Sequence, residues 1–188
     1  NTPILMRLFT AIDLPSDVLD RVAALRSPDA LDARWSRPSQ YHITLRFIGN
    51  VDAKQAARYE DALAQINAPP AHCIPYGLDV LPSRRTPRVL IVGLEQSDDL
   101  MAVYQAVSNA LEAEGLDPEE RTYRPHVTLA RLNDVSPKTV HHFLTDHRNV
   151  SIDPFEVDTF HLYKSTLTAQ GAIHERQASF SLTSSPRI

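Results

Sequence analysis

The chain passes twice through the same order of structural signals, and this internal repeat constrains its fold more than any other feature. Each half reads as strand, helix, strand, helix and extended segment, over about residues 7–83 and 88–165. The intervals between matching positions are nearly constant: 81 from Arg7 to Arg88, 84 from His42 to His126 and 82 from Ser83 to Ser165. Since neither half is long enough to enclose a large core, the two halves are expected to share one.

Patterns within each half predict the individual elements. Apolar residues alternate in the strand segments and recur at helical spacing between them. The predicted strands and extended segments are Arg7–Leu14, Tyr41–Gly49, His72–Leu81, Arg88–Leu94, Tyr123–Leu132, Phe155–Tyr163 and a last strand without a counterpart in the first half, Ile173–Leu182. The predicted helices are Ser16–Arg26 and three that follow the N-cap residues Asp52, Ser97 and Ser136. The stretch Ser27–Gln40 is expected to be a loop.

These elements predict an α+β fold. Short connections between strands favour antiparallel or mixed sheets. We expect a single bilobal domain over residues 6–183, in which two lobes related by a pseudo-two-fold axis carry helix-flanked sheets around a central cleft. Residues 1–5 precede Met6 and are expected to be an expression remnant or an alternative start.

The composition excludes several functional classes. The 188 residues carry a net charge of −4, unlike proteins that bind long nucleic acid through many phosphates. Cys73 is the only cysteine, which excludes a disulfide framework and a thiolate metal cluster. The longest apolar run, 89–94, is too short to span a bilayer, and residues 1–14 lack the core of a signal peptide. We therefore expect a soluble, cytoplasmic monomer without metal or cofactor, which takes a small or terminal anionic ligand.

A His-x-Thr-Leu motif occurs in the same strand of each half, as HITL at 42–45 and as HVTL at 126–129. Because alternate residues of a strand share a face, His42 projects with Thr44 and His126 with Thr128, while the residues between them, and Phe47, are expected to point to the core. A pseudo-two-fold axis brings both pairs to one cleft. Histidine acts as an acid or a base near neutral pH, and a threonine hydroxyl donates to a phosphate oxygen without adding charge.

With their flanks, these motifs make the sequence similar to the two-histidine (2H) phosphoesterases. The resemblance extends from Met6 to about Leu182, and the segments that carry it are MRLFTAIDLP, HITLRFIG, RPHVTLARL and LYKSTL. Within this superfamily the chain resembles most the bacterial and archaeal RNA 2′,3′-cyclic phosphodiesterases, also called 2′-5′ RNA ligases. The resemblance implies a bilobal α+β fold and chemistry that needs neither metal nor cofactor.

The resemblance also implies residue roles and substrates. His42 would be the acid and His126 the base in opening a 2′,3′-cyclic phosphate to a 2′-phosphate, with Thr44, Thr128 and Arg131 binding the phosphate. In the reverse direction the same site would join a 5′-hydroxyl to a cyclic phosphate without ATP. The implied partners are RNA ends or tRNA fragments that carry a 2′,3′-cyclic phosphate, or small nucleotides, and no membrane.

For two arginines near the motifs, the face on which the side chain lies depends on strand geometry. Strict alternation from His126 turns Arg131 away from the cleft, so its implied role requires a twist or bulge after Leu129. Alternation places Arg46 on the same face as His42, which makes it a further candidate for binding the substrate.

Other candidate substrate-binding residues flank the second motif. Arg124 lies in a segment expected to border the cleft. Tyr123 belongs to a group of aromatic residues that are candidates for stacking a terminal base, with Trp35, Tyr41 and Tyr163. At strand spacing, the same aromatic residues are equally consistent with a place in the core.

Two other functions remain open at this point. One is a binding module that holds RNA ends or nucleotides without turnover, and the other is a 2H phosphodiesterase for a small nucleotide that is not an RNA end. No metal site is expected, because the remaining histidines lack ligands at matched spacing and are interpreted as structural or surface residues: His72, His141, His142, His147, His161 and His174.

Overall fold

The structure, a computed structural model, describes residues 2–184. This range contains ten strands, four α-helices and one 3₁₀ helix. The strands are β1 (Met6–Asp13), β2 (Ala33–Trp35), β3 (His42–Val51), β4 (Ala71–Cys73), β5 (Pro75–Pro82), β6 (Pro87–Leu94), β7 (His126–Leu132), β8 (Phe155–Val157), β9 (Thr159–Thr168) and β10 (Gly171–Ser181). The α-helices are α1 (Ser16–Ala23), α2 (Ala53–Ala64), α3 (Asp98–Ala113) and α4 (Pro137–Asp146), and the 3₁₀ helix is Pro38–Gln40.

Eight of the ten strands in the described range form one sheet. Its order is β10-β9-β1-β3-β7-β6-β5, and β2 pairs in addition with β7. The short strands β4 and β8 form a separate two-stranded sheet. All neighbouring strands in residues 2–184 run antiparallel. The prediction of an α+β fold with antiparallel sheets is confirmed.

The two repeats exchange their last strands. In one half of the sheet, β1 and β3 of the first repeat are joined by β9, which belongs to the second. In the other half, β6 and β7 of the second repeat are joined by β5, which belongs to the first. Each half of the sheet therefore contains strands of both repeats, and β3 meets β7 where the halves join.

A continuous apolar core lies against one face of the sheet. It includes residues of all four helices, and its members from β3 and β7 are Ile43, Leu45, Ile48, Val127, Leu129 and Ala130. Since successive side chains of a strand point to opposite faces, the histidines and threonines of the two motifs point away from this core. No helix within residues 2–184 is both long and apolar enough to cross a membrane.

The predicted N-caps of three helices are confirmed. The side-chain oxygens of Asp52, Ser97 and Ser136 each accept a hydrogen bond from the backbone N–H three residues later, at 2.8, 3.3 and 3.2 Å. These contacts satisfy N–H groups that have no partner inside the first helical turn. The helix predicted as Ser16–Arg26 is shorter and ends at Ala23.

The predicted loop over Ser27–Gln40 is partly wrong, because it contains β2 and the 3₁₀ helix. A three-residue strand is too short to show alternation, and β2 is held by pairing with β7, which is distant in sequence. The pairing places Arg34 directly opposite Arg131. It therefore adds a second arginine beside the end of the second motif.

Candidate active site

The junction of β3 and β7 brings the two motifs together. The strands pair antiparallel through the second residue of each motif, so a local two-fold axis passes between them. In this register His42 lies across from Thr128, and His126 lies across from Thr44. All four side chains are on the face opposite the core and are partly exposed. The prediction that one cleft face holds two imidazoles and two hydroxyls agrees with this geometry.

Both imidazoles are oriented by a backbone carbonyl. His42 Nδ1 lies 2.8 Å from the carbonyl oxygen of Gln40, and His126 Nδ1 lies 2.6 Å from that of Arg124. Because a carbonyl oxygen only accepts, Nδ1 carries a hydrogen in each ring and Nε2 is the nitrogen left for proton transfer. His42 Nε2 is 3.0 Å from Oγ1 of Thr44.

His42 lies in a site that disfavours its charged form. Its pKa is lowered to about 4, mainly by burial and also by the nearby His174, although the Gln40 carbonyl and the Asp13 carboxylate act to raise it. Asp13 is the strand neighbour of His42 on β1. It is the acidic side chain whose charge favours a proton on this imidazole.

His126 has cations as neighbours. Burial lowers its pKa, the Arg124 carbonyl raises it, and the charges of Arg124 and Arg131 lower it. Both histidines are therefore neutral in the free protein near pH 7. The charges next to the two histidines differ in sign, because a carboxylate lies beside His42 and guanidinium groups lie beside His126.

A β-bulge in β7 turns Arg131 towards the cleft. On β6, Leu90 pairs with Ala130 and the next residue, Ile91, pairs with Thr128, so Leu129 is the extra residue. This is the bulge that the implied role of Arg131 requires. Arg131 is exposed, and within the described residues it has no carboxylate partner.

The matching bulge in β3 contradicts the prediction for Arg46. On β1, Thr10 pairs with Arg46 and the next residue pairs with Thr44, so Leu45 is extra. Arg46 consequently points away from the face of His42, is only 5% exposed and donates from Nη1 to Glu112 at 2.9 Å. The same shift brings Phe47, predicted to be in the core, to the open face at 60% exposure.

Tyr123 and Arg124 lie beside the motifs in different ways. The Tyr123 hydroxyl donates to the backbone carbonyl of Thr44 at 2.8 Å, and its ring stacks on Tyr104 with a 4.0 Å centroid separation. This arrangement makes Tyr123 a support for β3. Arg124 is exposed and donates from Nη1 to the Pro82 carbonyl at 3.2 Å, while its own carbonyl orients His126.

Two of the aromatic residues that were candidates for stacking a base make other contacts in the structure. Tyr41 is buried, and the Tyr163 hydroxyl donates to Asp13. Phe9, which the sequence analysis did not single out, lies 5.0 Å from His42 and 6.0 Å from Phe47 between ring centroids. Phe9 is buried, whereas Phe47 is an exposed ring next to it.

A polar cluster beside His42 was missed by the sequence analysis. Asp13 accepts hydrogen bonds from Tyr163 and Arg176, and His161 Nε2 lies 3.4 Å from its carboxylate. His174 contacts the His42 ring edge-on at 5.0 Å. The available signal was positional, because His161 and Tyr163 are two positions apart on one strand and therefore share a face. In residues 2–184 no three His, Cys, Asp or Glu side chains are grouped as a metal ion requires.

A comparison with known protein families gives one match for each of the two repeats. The family model described as LigT like Phosphoesterase matches twice, over residues 12–91 and 92–174. The RNA 2′,3′-cyclic phosphodiesterase of Aeropyrum pernix is 32% identical over 177 residues, which cover 91% of this chain and 100% of the relative. That of Archaeoglobus fulgidus is 26% identical over 172 residues, which cover 90% and 97%.

The fold is similar to a solved structure, that of TT0787 from Thermus thermophilus. The TM-score is 0.76 at 25% identity, with 94% of this chain and 98% of that chain covered. The family match extends over both repeats, and each of its two parts contains one His-x-Thr motif. For this reason the chain belongs to the LigT-like phosphoesterase family.

Proposed function

We propose that this protein hydrolyses the 2′,3′-cyclic phosphate at the end of an RNA, leaving a 2′-phosphate, without a metal ion. The observation that carries the proposal is the pair of imidazoles on one face, each with Nδ1 held by a carbonyl and Nε2 left for proton transfer. Relatives named RNA 2′,3′-cyclic phosphodiesterase, which align with about nine-tenths of the chain, support this substrate class.

The reaction uses the two Nε2 atoms on opposite sides of the phosphorus. A water oxygen attacks phosphorus while His126 Nε2 takes a proton from that water. The bond from phosphorus to the ribose 3′ oxygen breaks, and His42 Nε2 delivers its proton to that oxygen. The products are a 2′-phosphomonoester and a free 3′-hydroxyl. His42 ends neutral and His126 protonated, and exchange with solvent restores both.

The charges near the two histidines support this division of roles. Burial, together with the charges of Arg124 and Arg131, lowers the pKa of His126 and favours the neutral form that a base needs, whereas Asp13 favours a proton on His42, as an acid needs. The cyclic phosphate itself carries a negative charge and raises the pKa of His42 when it binds. Substrate binding thus supplies part of the electrostatic stabilisation that protonated His42 lacks in the free protein.

The phosphate oxygens have several donors on the same face. The hydroxyls of Thr44 and Thr128 provide neutral hydrogen bonds, and Arg131 provides a charged one. Arg34 faces Arg131 across the β2–β7 pair, so the two like charges repel each other until an anion lies between them. We assign this pair to the reacting phosphate or to the next phosphate of the RNA chain.

The test is incubation with 2′,3′-cyclic AMP and with an oligonucleotide that ends in a 2′,3′-cyclic phosphate, in the presence of EDTA. The expected result is hydrolysis to the 2′-phosphate, identified by phosphorus NMR. Loss of turnover with EDTA and recovery with zinc or manganese would refute metal independence. A 3′-phosphate product would mean that the ribose binds in the opposite orientation.

Replacement of the motif hydroxyls has a graded expected effect. Each of Thr44→Val and Thr128→Val removes one donor to the phosphate at nearly constant shape, which costs about 1.5–3 kcal/mol, or roughly 10- to 100-fold in kcat/KM. Thr44→Val is expected to be the more severe, because the Thr44 hydroxyl also contacts His42 Nε2. Steady-state kinetics measures both effects, with melting temperature as the control. Equal activity of the double variant and the wild type would show that neither hydroxyl contacts phosphate.

The pH dependence follows from the lowered pKa values. Unperturbed imidazoles would place the two limbs of the rate profile on either side of about pH 6.5. Here protonated His42 is lost above about pH 4, and neutral His126 is lost below its own lowered pKa. The maximum of kcat/KM, which reports the free enzyme, is therefore expected below pH 6.5, and that of kcat at higher pH because bound phosphate raises both values. A kcat/KM maximum above pH 7 would contradict this assignment.

A further inference from the structure

The two motif imidazoles are held by the same kind of contact, but the chain supports the two contacts differently. In each motif the acceptor for Nδ1 is the carbonyl of the residue two positions before the histidine, Gln40 for His42 and Arg124 for His126. Such a carbonyl orients an imidazole only if the carbonyl is itself held in place. What holds each carbonyl therefore determines where each Nε2 points.

The carbonyl beside His126 is held by backbone geometry. Pro125 follows Arg124, and the residue before a proline is restricted to extended backbone. The carbonyl of Pro125 in turn accepts from the N–H of Leu94 on β6 at 3.0 Å. The direction of the Arg124 carbonyl is thus set by a local restriction and by the contact with β6.

The carbonyl beside His42 belongs to a residue that no proline follows. Gln40 is the last residue of the 3₁₀ helix, and the next residue is Tyr41. The Gln40 side chain makes two hydrogen bonds instead. Its Oε1 accepts from the backbone N–H of Arg37 at 2.9 Å, and its Nε2 donates to the carbonyl of Ala172 on β10 at 3.0 Å.

These bonds tie the 3₁₀ helix to a strand 132 residues further along the chain. Gly171 leaves room for the Gln40 amide, because a Cβ atom added to this glycine would lie only 3.2 Å from Nε2. The guanidinium of Arg37 adds a longer contact, at 3.4 Å, to the carbonyl of Gln170. The 3₁₀ helix is therefore docked by its side chains on the start of β10 and on the turn before it.

The strand that receives the Gln40 amide also contacts the His42 ring. His174 on β10 meets this ring edge-on at 5.0 Å, and the buried Phe9 lies at the same centroid distance. Within residues 2–184 no strand lies beyond β5 at the other end of the sheet. The His126 side thus lacks an equivalent of β10.

We propose that Gln40 is a positioning residue for His42. Its side-chain amide holds the 3₁₀ helix against β10, and its carbonyl then keeps the hydrogen of the neutral imidazole on Nδ1. Without this anchor the carbonyl moves, and the ring is free to rotate or to carry its hydrogen on Nε2. The kinetic consequence rests on the proposed function, in which His42 Nε2 protonates the leaving oxygen.

The test replaces Gln40 with methionine, which has a similar length but no amide. In ¹⁵N NMR of histidine-labelled protein near pH 7, the fraction of His42 with its hydrogen on Nδ1 is expected to fall. For hydrolysis of 2′,3′-cyclic AMP, kcat is expected to fall at least about tenfold, because a small displacement of a reacting group is costly. KM is expected to stay within about twofold, since Gln40 is not assigned a contact with the substrate.

Two controls distinguish positioning from a general loss of stability. His126 in the same sample is the internal control, because its carbonyl partner is held without Gln40, and its tautomer is not expected to change. Gln55→Met is the matched variant. The Nε2 of Gln55 also donates to a backbone carbonyl at 3.0 Å, that of Glu114, but it lies on α2, which packs on the core side of the sheet. Gln55→Met is expected to lower the melting temperature by a similar amount and to keep wild-type kcat.

The outcomes separate this inference from the proposed function. Unchanged His42 signals in folded Gln40→Met overturn the inference, whatever the rate. A raised KM at unchanged kcat also overturns it, because Gln40 would then bind the substrate instead of orienting His42. Equal losses of kcat in Gln40→Met and Gln55→Met overturn it as well. If the wild type does not hydrolyse 2′,3′-cyclic AMP, the proposed function fails, and the His42 tautomer in Gln40→Met still decides the inference.

Discussion

Alanine at either motif histidine is expected to lower kcat by at least about 100-fold, the usual contribution of a positioned acid or base. In the proposed mechanism, His42→Ala removes the proton donor to the leaving oxygen, and His126→Ala removes the acceptor of the water proton. Both imidazoles are neutral in the free protein near pH 7, so neither substitution leaves a buried charge unpaired. Single-turnover kinetics with 2′,3′-cyclic AMP measures the chemical step directly.

The matched control for both variants is His142→Ala, an exposed histidine on α4 outside the cleft. It is expected to retain wild-type kcat. Circular dichroism and melting temperature establish that the variants are folded. A folded His42 or His126 variant that keeps more than about a tenth of the wild-type rate would contradict two-histidine catalysis.

Two arginines that follow the motif histidines in the sequence, by four and five residues, are expected to behave in opposite ways. Arg131→Gln is expected to lower kcat/KM by about 10- to 100-fold, the usual effect of losing a charged hydrogen bond to phosphate, with an unchanged melting temperature. Arg46→Gln removes the cation of the Arg46–Glu112 ion pair, which lies on the face of the sheet away from His42. It is expected to lower the free energy of unfolding by about 3 kcal/mol, at the low end for a buried pair because Glu112 keeps some contact with water.

Urea unfolding and steady-state kinetics on the same preparations separate the two effects. Each arginine is the control for the other, because the substitution is chemically identical and only the face of the sheet differs. If Arg46→Gln loses kcat/KM at full stability, or if Arg131→Gln unfolds the protein at normal kcat/KM, the assignment of the two faces is wrong.

Local patterns predicted the parts of the fold that depend on neighbouring residues. The N-caps Asp52, Ser97 and Ser136 were found because a cap and its N–H partner are three residues apart. The pairing of β5 with β6 and of β9 with β1 was not predicted, because it depends on contacts between distant segments. The short strand β2 was not predicted, for the same reason.

The two bulges limit the part of the candidate site in which strand alternation predicts the direction of a side chain. His42 and Thr44 precede the bulge in β3, so period-two reasoning placed both, but it failed at Arg46 and Phe47, which follow it. A bulge was required in β7 to explain Arg131, and the repeat itself predicts the same bulge in β3. Phe47 and Arg131 each stand five positions after their motif histidine. Consistent use of the internal symmetry would have moved Phe47 to the open face.

The exchange of last strands has a consequence for any attempt to divide the molecule. A fragment that ends near residue 83 keeps β5 but lacks β6, to which β5 is hydrogen-bonded, and it offers β1 an unfilled edge where β9 belongs. Two such fragments can complete each other's sheets only if each adds its last strand to the sheet of the other. An ancestral half-length chain with this topology would thus have been an intertwined homodimer, and the turn at 83–86 is the covalent link that converts the pair into one polypeptide. In that homodimer the two His-x-Thr motifs would have been identical by symmetry, whereas a single polypeptide allows them to differ, as HITL and HVTL do here.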